Sequence, residues 1–531
     1  MIALTGRSLI AGERAEPSSE CFFGVDPAAG RPLPTRFHTA SEADVDRAAR
    51  AALAAQSSLR DAELRACFLT SVAERLADRA TAIVEQAQLE TALPPARLTG
   101  ELARTTAQLR LFADVAQEGS WVDARIDPGD PHRSPLPKPD VRSLRVALGP
   151  VAVFGASNFP LAFSVAGGDT ASAWAAGCPV VVKAHPAHPG TSELVGDAIS
   201  IAADEVGLPG GVFSLLFDDG LEIGRALVQH PLIRAVGFTG SRGGGLALSR
   251  LAAERPVPIP VFAEMASINP VVFLPSALAE SSERLAQGLF ESATLGGGQF
   301  CTQPGLALVP VGDDGDDFVE QLASRFEASR QTSMLTEGIA QAYDQGCQRF
   351  DQAGARLRAE GEMTGEHATV TARLWEIELA ELKPQSPLLG EVFGPTTLVA
   401  RYADLRELDN LPNLLEGQLT AALFSGDPAP DPESEAAHRL WQALAQCAGR
   451  LIFGQFPTGV EVNHAMVHGG PFPATTDPRT TSVGARAVER FARLVAFQNA
   501  PPALLPTELQ DDNPRQIWRQ LDGEVTRDPV R

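Results

Sequence analysis

Between Val141 and Met265 the sequence alternates short, unbroken apolar runs with segments of helical pattern, and this alternation constrains the fold more than any other feature. The runs are VAVF at 151–154, PVVVK at 179–183, VFSLLF at 212–217, IRAVGF at 233–238 and PVFAE at 260–264. Strands that read as continuous apolar runs are buried on both faces, which predicts an α/β unit with a parallel sheet under covering helices. Helix signals fit between the runs. The segment after Pro160 ends at Gly177, and Thr191 to Val206 opens on cap-type residues and stops at Gly207. Such a sheet binds ligands at the carboxyl ends of its strands.

A second α/β unit is predicted from Ile268 to Phe453, with strands at 306–310, 368–375, 396–400 and 420–425. Ser41 to Ala116 has apolar residues three and four apart, as helices do, and is punctuated by Pro94 and Pro95. The stretch DPGDPHRSPLPKP, residues 127–139, is predicted to be an exposed loop or arm. The polar tail from Pro501 is expected on the surface, with one short helix near Gln516 to Leu521.

The 531 residues give room for two or three domains at roughly 100–200 residues each. With 44 Lys+Arg against 66 Asp+Glu the net charge is −22, which disfavours nucleic acid and anionic membrane as partners. There is no apolar run of about 18 residues and no apolar leader at the N-terminus, so a cytoplasmic protein is expected. The six cysteines are scattered, with no C-x-x-C pair and no zinc-like Cys/His spacing. They read as reduced thiols, and no metal is expected.

Four segments carry candidate chemistry. GGGQFCTQPG sets Cys301 in a glycine-rich turn after a helical pattern, a setting that can present a thiol to a cleft; the alternative is a small buried core residue. FGASNFP places Asn158 just beyond an apolar strand, where an amide can face a site or simply form a turn. FAEMASINP ends a strand with Glu264, whose apolar neighbours would raise its pKa toward a general-base range; the alternative is a surface carboxylate. GFTGS, at 237–241, ends another strand before a helix, a weak anion-site signal.

In this order and at these separations, SNFP, PVVVKAHP, GFTGS, Glu264 with Asn269-Pro270, GQFC, EVFGP at 391–395 and GGPFP at 469–473 resemble the aldehyde dehydrogenase superfamily over roughly residues 20 to 500. The resemblance implies a Rossmann-like cofactor domain at 1–120 and 150–265 and a catalytic domain at 266–475. It further implies a β oligomerisation arm at 121–149 and 476–500, with 501–531 as a tail. It makes Cys301 the nucleophile, Asn158 and the Cys301 backbone N–H the oxyanion donors, and Glu264 the base that activates water. It assigns Lys183 to the adenosine ribose, Gly240 and Ser241 to the pyrophosphate, Glu391 to the nicotinamide ribose and Phe393 to the ring's side. A homodimer or homotetramer is implied, through SLRVALG at 143–149 and RLVAFQN at 493–499.

KAHPAHPG, EMASINP and PFPATTDPRTTSVG resemble bacterial 2-oxoglutarate semialdehyde (2,5-dioxopentanoate) dehydrogenases more than betaine or acetaldehyde enzymes. Where many NAD-specific relatives have Lys-Pro-x-Glu, this chain has Lys183-Ala184-His185-Pro186, so the glutamate that would bond both ribose hydroxyls is missing. NADP is therefore expected, with NAD possible. Lys183, His185 and Arg225 would supply positive charge for a 2′-phosphate, although His185 and Arg225 also read as solvated surface.

Arg104 falls on the helix that lines the family's aldehyde tunnel and suits a carboxylate-bearing aldehyde; a buried ion pair or a subunit contact is the other reading. Phe159 and Phe163 would wall the same pocket or sit in the core. If Arg104 does not read the carboxylate, the GGPFP loop and His464 are next. Two alternatives stand beside this reading: an NADP-linked medium- or long-chain fatty aldehyde dehydrogenase, and a non-catalytic dinucleotide-binding scaffold.

Overall fold

The five apolar runs form five parallel strands, Val151–Phe154, Val180–Lys183, Phe213–Leu216, Ala235–Thr239 and Val261–Glu264, in a computed structural model that describes residues 3–363, 365, 367–426 and 432–530. Val151–Phe154 lies in the middle. The chain adds Val180–Lys183 and Phe213–Leu216 on one side of it, then returns to add Ala235–Thr239 and Val261–Glu264 on the other. The reversal opens a crevice at the carboxyl ends of Val151–Phe154 and Ala235–Thr239, the place where open α/β sheets bind ligands. Leu9–Ile10 and Glu13–Arg14 extend the Phe213–Leu216 edge as an antiparallel hairpin.

Both faces of this sheet are covered, which is why its strands are apolar throughout. One core contains Val151, Val153, Val180 and Val182 with Phe68, Leu109, Trp174 and Phe213. The opposite core contains Ala152, Val181, Leu216 and Val236 with Ala48, Ala52, Leu227 and Leu248. Gly177 closes the helix Gly168–Ala176 in the left-handed conformation, as its position predicts.

The second sheet also has seven strands, in the order Arg356–Glu360, Arg373–Glu378, Thr396–Tyr402, Leu306–Pro310, Val271–Phe273, Gln418–Phe424 and Ala448–Phe453. All pairings are parallel except that of Arg356–Glu360 with Arg373–Glu378. The run expected at 368–375 is divided. Thr369–Val370 pairs with Thr332–Ser333, and the sheet strand begins at Arg373.

A third sheet joins Ala492–Gln498, Val141–Ala147, Arg125–Asp127, Arg519–Leu521 and Glu524–Thr526. The tail thus differs from expectation. No helix forms at 516–521; Arg519–Leu521 is a strand parallel to Arg125–Asp127, and Leu509 and Ile517 are fully buried against Val122, Ile126 and Leu144. Two apolar residues in a polar segment carry too little period to be read in advance, and their partner is nearly 400 residues away in sequence. Among the described residues, no helix is long and apolar enough to cross a membrane.

Candidate active site

The nucleophile candidate is presented by backbone geometry that favours glycine. Gly296, Gly297 and Gly298 have φ of 57°, 70° and 66°, three successive left-handed residues. A Cβ on Gly298 would stand 2.2 Å from the Gly394 carbonyl, so the loop of 296–301 passes against the EVFGP segment with no room for a side chain. Asn269, itself at φ 46°, then pins the loop: its Nδ2 donates to the carbonyls of Cys301 at 2.8 Å and Gln303 at 2.9 Å. Its Oδ1 accepts from Ser267 Oγ and Thr420 Oγ1, which accounts for the buried amide. The Asn269-Pro270 motif is therefore a clamp on the nucleophile loop.

Glu264 is buried at the end of its strand, and the loop after GGPFP continues that edge through Met265 N–H to the Ala474 carbonyl and Thr476 N–H to the Ala263 carbonyl. His468, just before GGPFP, is completely buried, and sequence reasoning missed it in favour of the exposed His464. Nε2 of His468 lies 2.8 Å from Glu264 Oε1 and 3.3 Å from Cys301 Sγ. Ser482 donates to Glu264 Oε2 and also to the His468 carbonyl. Sulfur, nitrogen and oxygen donors of Cys301, His468 and Glu264 all fall within 4.8 Å of one another, at spacings that hydrogen bonds produce.

This neighbourhood reverses the expected pKa of Glu264. Burial pushes the carboxyl up, but the charge of His468 and hydrogen bonds from His468, Ser482 and Cys301 outweigh it, and the net displacement is downward. The flanking apolar residues supply the desolvation that the sequence predicts; the partners come from further along the chain, Cys301 on the nucleophile loop and His468 and Ser482 far beyond it. Cys301 moves the opposite way, held well above the ordinary thiol value by burial and by the Glu264 charge.

Asn158 also faces Cys301 across the cavity, with Nδ2 donating to the Gln299 carbonyl at 3.0 Å. An amide NH2 carries two donors, so one such bond leaves a second N–H. Arg97 fixes the Asn158 backbone by donating to its carbonyl at 2.7 Å.

Two adjoining cavities, of about 550 and 500 Å³, share Gly155, His185, Phe238 and Gly244 and run from the Lys183 strand end to Cys301. The first is lined by Phe154, Phe238 and Leu248 with Lys183, Arg225 and Arg250. The second carries Gly240, Ser241, Glu391, Phe393, Asn158, Glu264 and Cys301. Together they have the length and the mixed lining that a dinucleotide needs. Ser241 caps the helix Arg242–Ala253, accepting from Gly244 N–H at 3.2 Å, so its hydroxyl organises the turn. Burial pushes Glu391 up to about 7, with Ser267 N–H as a partly compensating donor.

The cationic role expected of His185 is corrected. The ring is stacked on His188 at 5.6 Å, its Nδ1 accepts from Ala187 N–H, and burial together with His188 and Lys183 holds its pKa well below the ordinary value. It lines both cavities. Lys183 donates to the Asp218 carbonyl at 2.7 Å, and Arg225 is half exposed with Glu222 at 3.8 Å.

On the other side of Cys301, arginines alternate with aromatic rings. Arg97 stacks on Phe159 and Phe300, Phe159 meets Phe163 at 5.2 Å, and Arg104 lies 5.1 Å over Phe163. Arg104 donates weakly to the Val460 carbonyl at 3.4 Å, and its Nη1 is buried with no hydrogen-bond partner among the described residues. No ion pair among the described residues satisfies that nitrogen, and the other reading, a subunit contact, lies outside a single chain.

The family model "Aldehyde dehydrogenase family" matches residues 15–459, and the chain belongs to this family. It is 50% identical over 527 residues to the alpha-ketoglutaric semialdehyde dehydrogenase 2 of Azospirillum brasilense, covering 98% of this chain and 99% of the relative. The alpha-ketoglutaric semialdehyde dehydrogenase of Acinetobacter baylyi is 43% identical over 526 residues, with the same coverages. Among solved structures, an NADP-dependent enzyme of E. coli matches with a TM-score of 0.78 at 21% identity, over 93% of this chain and 98% of that one. An aldehyde dehydrogenase from Bacillus cereus in complex with NAD+ matches with a TM-score of 0.77 at 20% identity, over 93% and 96%. These two share the fold.

Proposed function

We propose that this enzyme oxidises 2-oxoglutarate semialdehyde (2,5-dioxopentanoate) to 2-oxoglutarate through a thioester on Cys301. The observation that carries the substrate is Arg104, a cation with an unpartnered buried nitrogen in the wall beside the nucleophile. The names and near-complete overlap of the Azospirillum and Acinetobacter relatives support it. An apolar fatty aldehyde would leave this charge desolvated and unpaired, which is costly. The scaffold alternative leaves the clustered Cys301, Glu264 and Asn158 without a purpose.

Sγ of Cys301 attacks the aldehyde carbon, and the oxygen that gains charge is received by the Asn158 amide and the Cys301 N–H. A nicotinamide dinucleotide, when bound, accepts the hydride released from that carbon. Glu264 then takes a proton from the water that cleaves the thioester, and the sulfur leaves the product carboxylate.

Lys183, the helix N-terminus at Ser241 and Glu391 are the residues we assign to the dinucleotide. At the ribose end, Lys183, Arg225 and Arg250 face Asp219 and Glu254, so a 2′-phosphate meets cations and NADP is the preferred form, with NAD accepted. Assaying 2,5-dioxopentanoate, succinate semialdehyde and decanal with both cofactors tests the reading. The highest kcat/KM is expected for 2,5-dioxopentanoate with NADP; a preference for decanal overturns it.

Among the described residues, strand Ala492–Gln498 pairs only with Val141–Ala147 and leaves its other edge open, with Leu494 exposed. We infer that a second copy covers this edge. Light scattering at micromolar concentration is expected to show a dimer or tetramer; a monomer contradicts it. The free thiols fit a reducing compartment.

A further inference from the structure

His468 has no part in the two-residue chemistry of Cys301 and Glu264, yet it stands between them. Its ring is completely buried, and its backbone is locked by Thr481 Oγ1 accepting the His468 N–H at 2.8 Å and by Ser482 N–H and Oγ donating to its carbonyl. Phe163 packs on the ring at 6.5 Å. Nε2 is aligned with Cys301 Sγ for a hydrogen bond at 3.3 Å. Beside it, at 2.8 Å, lies Glu264 Oε1, within ion-pair distance of Nε2.

An unprotonated Nε2 and an ionised carboxylate oxygen 2.8 Å apart would turn lone pairs toward each other in a buried site. The spacing is favourable once Nε2 carries a proton, and most so when Nδ1 carries one too and the ring is an imidazolium. Nδ1 has no partner among the described residues, and it bears a hydrogen whether the proton lies on sulfur or on Nε2. Its unpaired donor therefore opposes neither state. The proton within reach of Nε2 is the one on Cys301.

We propose that His468 is a third catalytic residue, the acceptor of the Cys301 proton, in a Cys301–His468–Glu264 triad. The Sγ–H bond breaks, the Nε2–H bond forms, and Glu264 Oε1 holds the imidazolium by its charge. The sulfur keeps the electron pair it uses on the aldehyde. When water cleaves the thioester, the proton returns from Nε2 to Sγ. This removes the obstacle set by burial and by the Glu264 carboxylate, which alone would keep the sulfur protonated. The inference rests on the thioester chemistry above and is independent of which aldehyde is used.

The other charged groups around the triad are Glu391, Arg450 and Arg104 toward Cys301, and Asp169, paired with Arg490, behind Glu264. None of them lies between sulfur and carboxylate.

Alkylation of Cys301 by iodoacetamide across pH, with the modified peptide quantified by mass spectrometry, reads the thiolate without any aldehyde. In the wild-type enzyme, Cys301 is expected to react at neutral pH, with a profile extending below that of an ordinary thiol. In His468→Gln and His468→Asn, reaction at pH 7 is expected to fall at least about tenfold, the consequence of a midpoint raised by about one unit. NADPH binding, followed by fluorescence, should persist. Profiles of the two variants that overlay the wild type overturn the proposal. So does a wild-type Cys301 that reacts only at the pH of an ordinary thiol, a result that needs no variant to fold. Failure of the substrate reading changes none of these outcomes.

Discussion

The two sides of Cys301 are built from different materials. Toward the dinucleotide cavity, strand ends and a helix N-terminus set main chain and small residues, Gly155, Ala156, Gly240, Ser241 and Gly244, among side chains such as Phe238, Glu391 and Phe393. On the side we assign to the aldehyde the surface is side chain, Arg97, Phe300, Phe159, Phe163 and Arg104 in an alternating wall. Backbone cannot be changed by substitution, so the first side suits a ligand common to the whole family. Side chains can be exchanged one at a time, so the second side suits a ligand that differs between members. Specificity should therefore reside almost wholly on the arginine side.

The largest effect is expected where the two sides meet. Cys301→Ala should abolish turnover while leaving dinucleotide binding intact, as fluorescence titration would report. Turnover in that variant would mean that the two sides do not share this sulfur. Glu264→Gln is expected to release one equivalent of reduced cofactor in a burst and then turn over slowly, because acylation precedes water activation. Stopped-flow absorbance separates the phases, and loss of the burst would place Glu264 in thiol activation as well.

Smaller, one-sided effects come next. A charge-assisted contact from Arg104 contributes about 1.5–3 kcal/mol, so Arg104→Met should lower kcat/KM for 2,5-dioxopentanoate roughly 10- to 150-fold. A neutral aldehyde of similar length should be unaffected or faster. An equal fall for both would make Arg104 structural and blur the contrast between the sides.

The smallest effect falls on the cofactor side. Glu391 titrates at about 7 against an ordinary 4.5, so the folded protein holds its proton more tightly than the unfolded chain. Its contribution to stability accordingly declines as pH rises from about 4.5 through about 7. As an acceptor for ribose hydroxyls it works best ionised, so cofactor affinity should rise through the same window, by about fivefold. Glu391→Gln should flatten that rise in calorimetric titrations. An unchanged slope would assign it to another group.

What could be read from the sequence follows range of interaction. The first sheet was legible because each strand is buried on both faces and writes an uninterrupted apolar run. The GGGQFC turn was legible because consecutive glycines announce unusual backbone. His468 was not, since a histidine in HGGPFP looks no different from His464 four residues earlier, and only the return of residues 468–482 to the Glu264 strand decides which one is buried. The cationic reading of His185 failed for a related reason: charge depends on desolvation, and desolvation on what folds over the ring. Val271–Phe273 is a strand of three residues, too short to show a period.

The run of left-handed glycines before Cys301 also bears on heritable variation. Every glycine codon begins with two guanines, and a single-base change in either position installs a side chain or ends the chain. At Gly298 that side chain would land on the Gly394 carbonyl, and at Gly296 and Gly297 it would meet a backbone angle that L-residues rarely adopt. The stretch just before the nucleophile is thus closed to gradual exploration. The helix Pro95–Glu118 across the cavity is not so constrained: the codon of its Arg104 can drift to a neighbour without disturbing the loop that holds the sulfur.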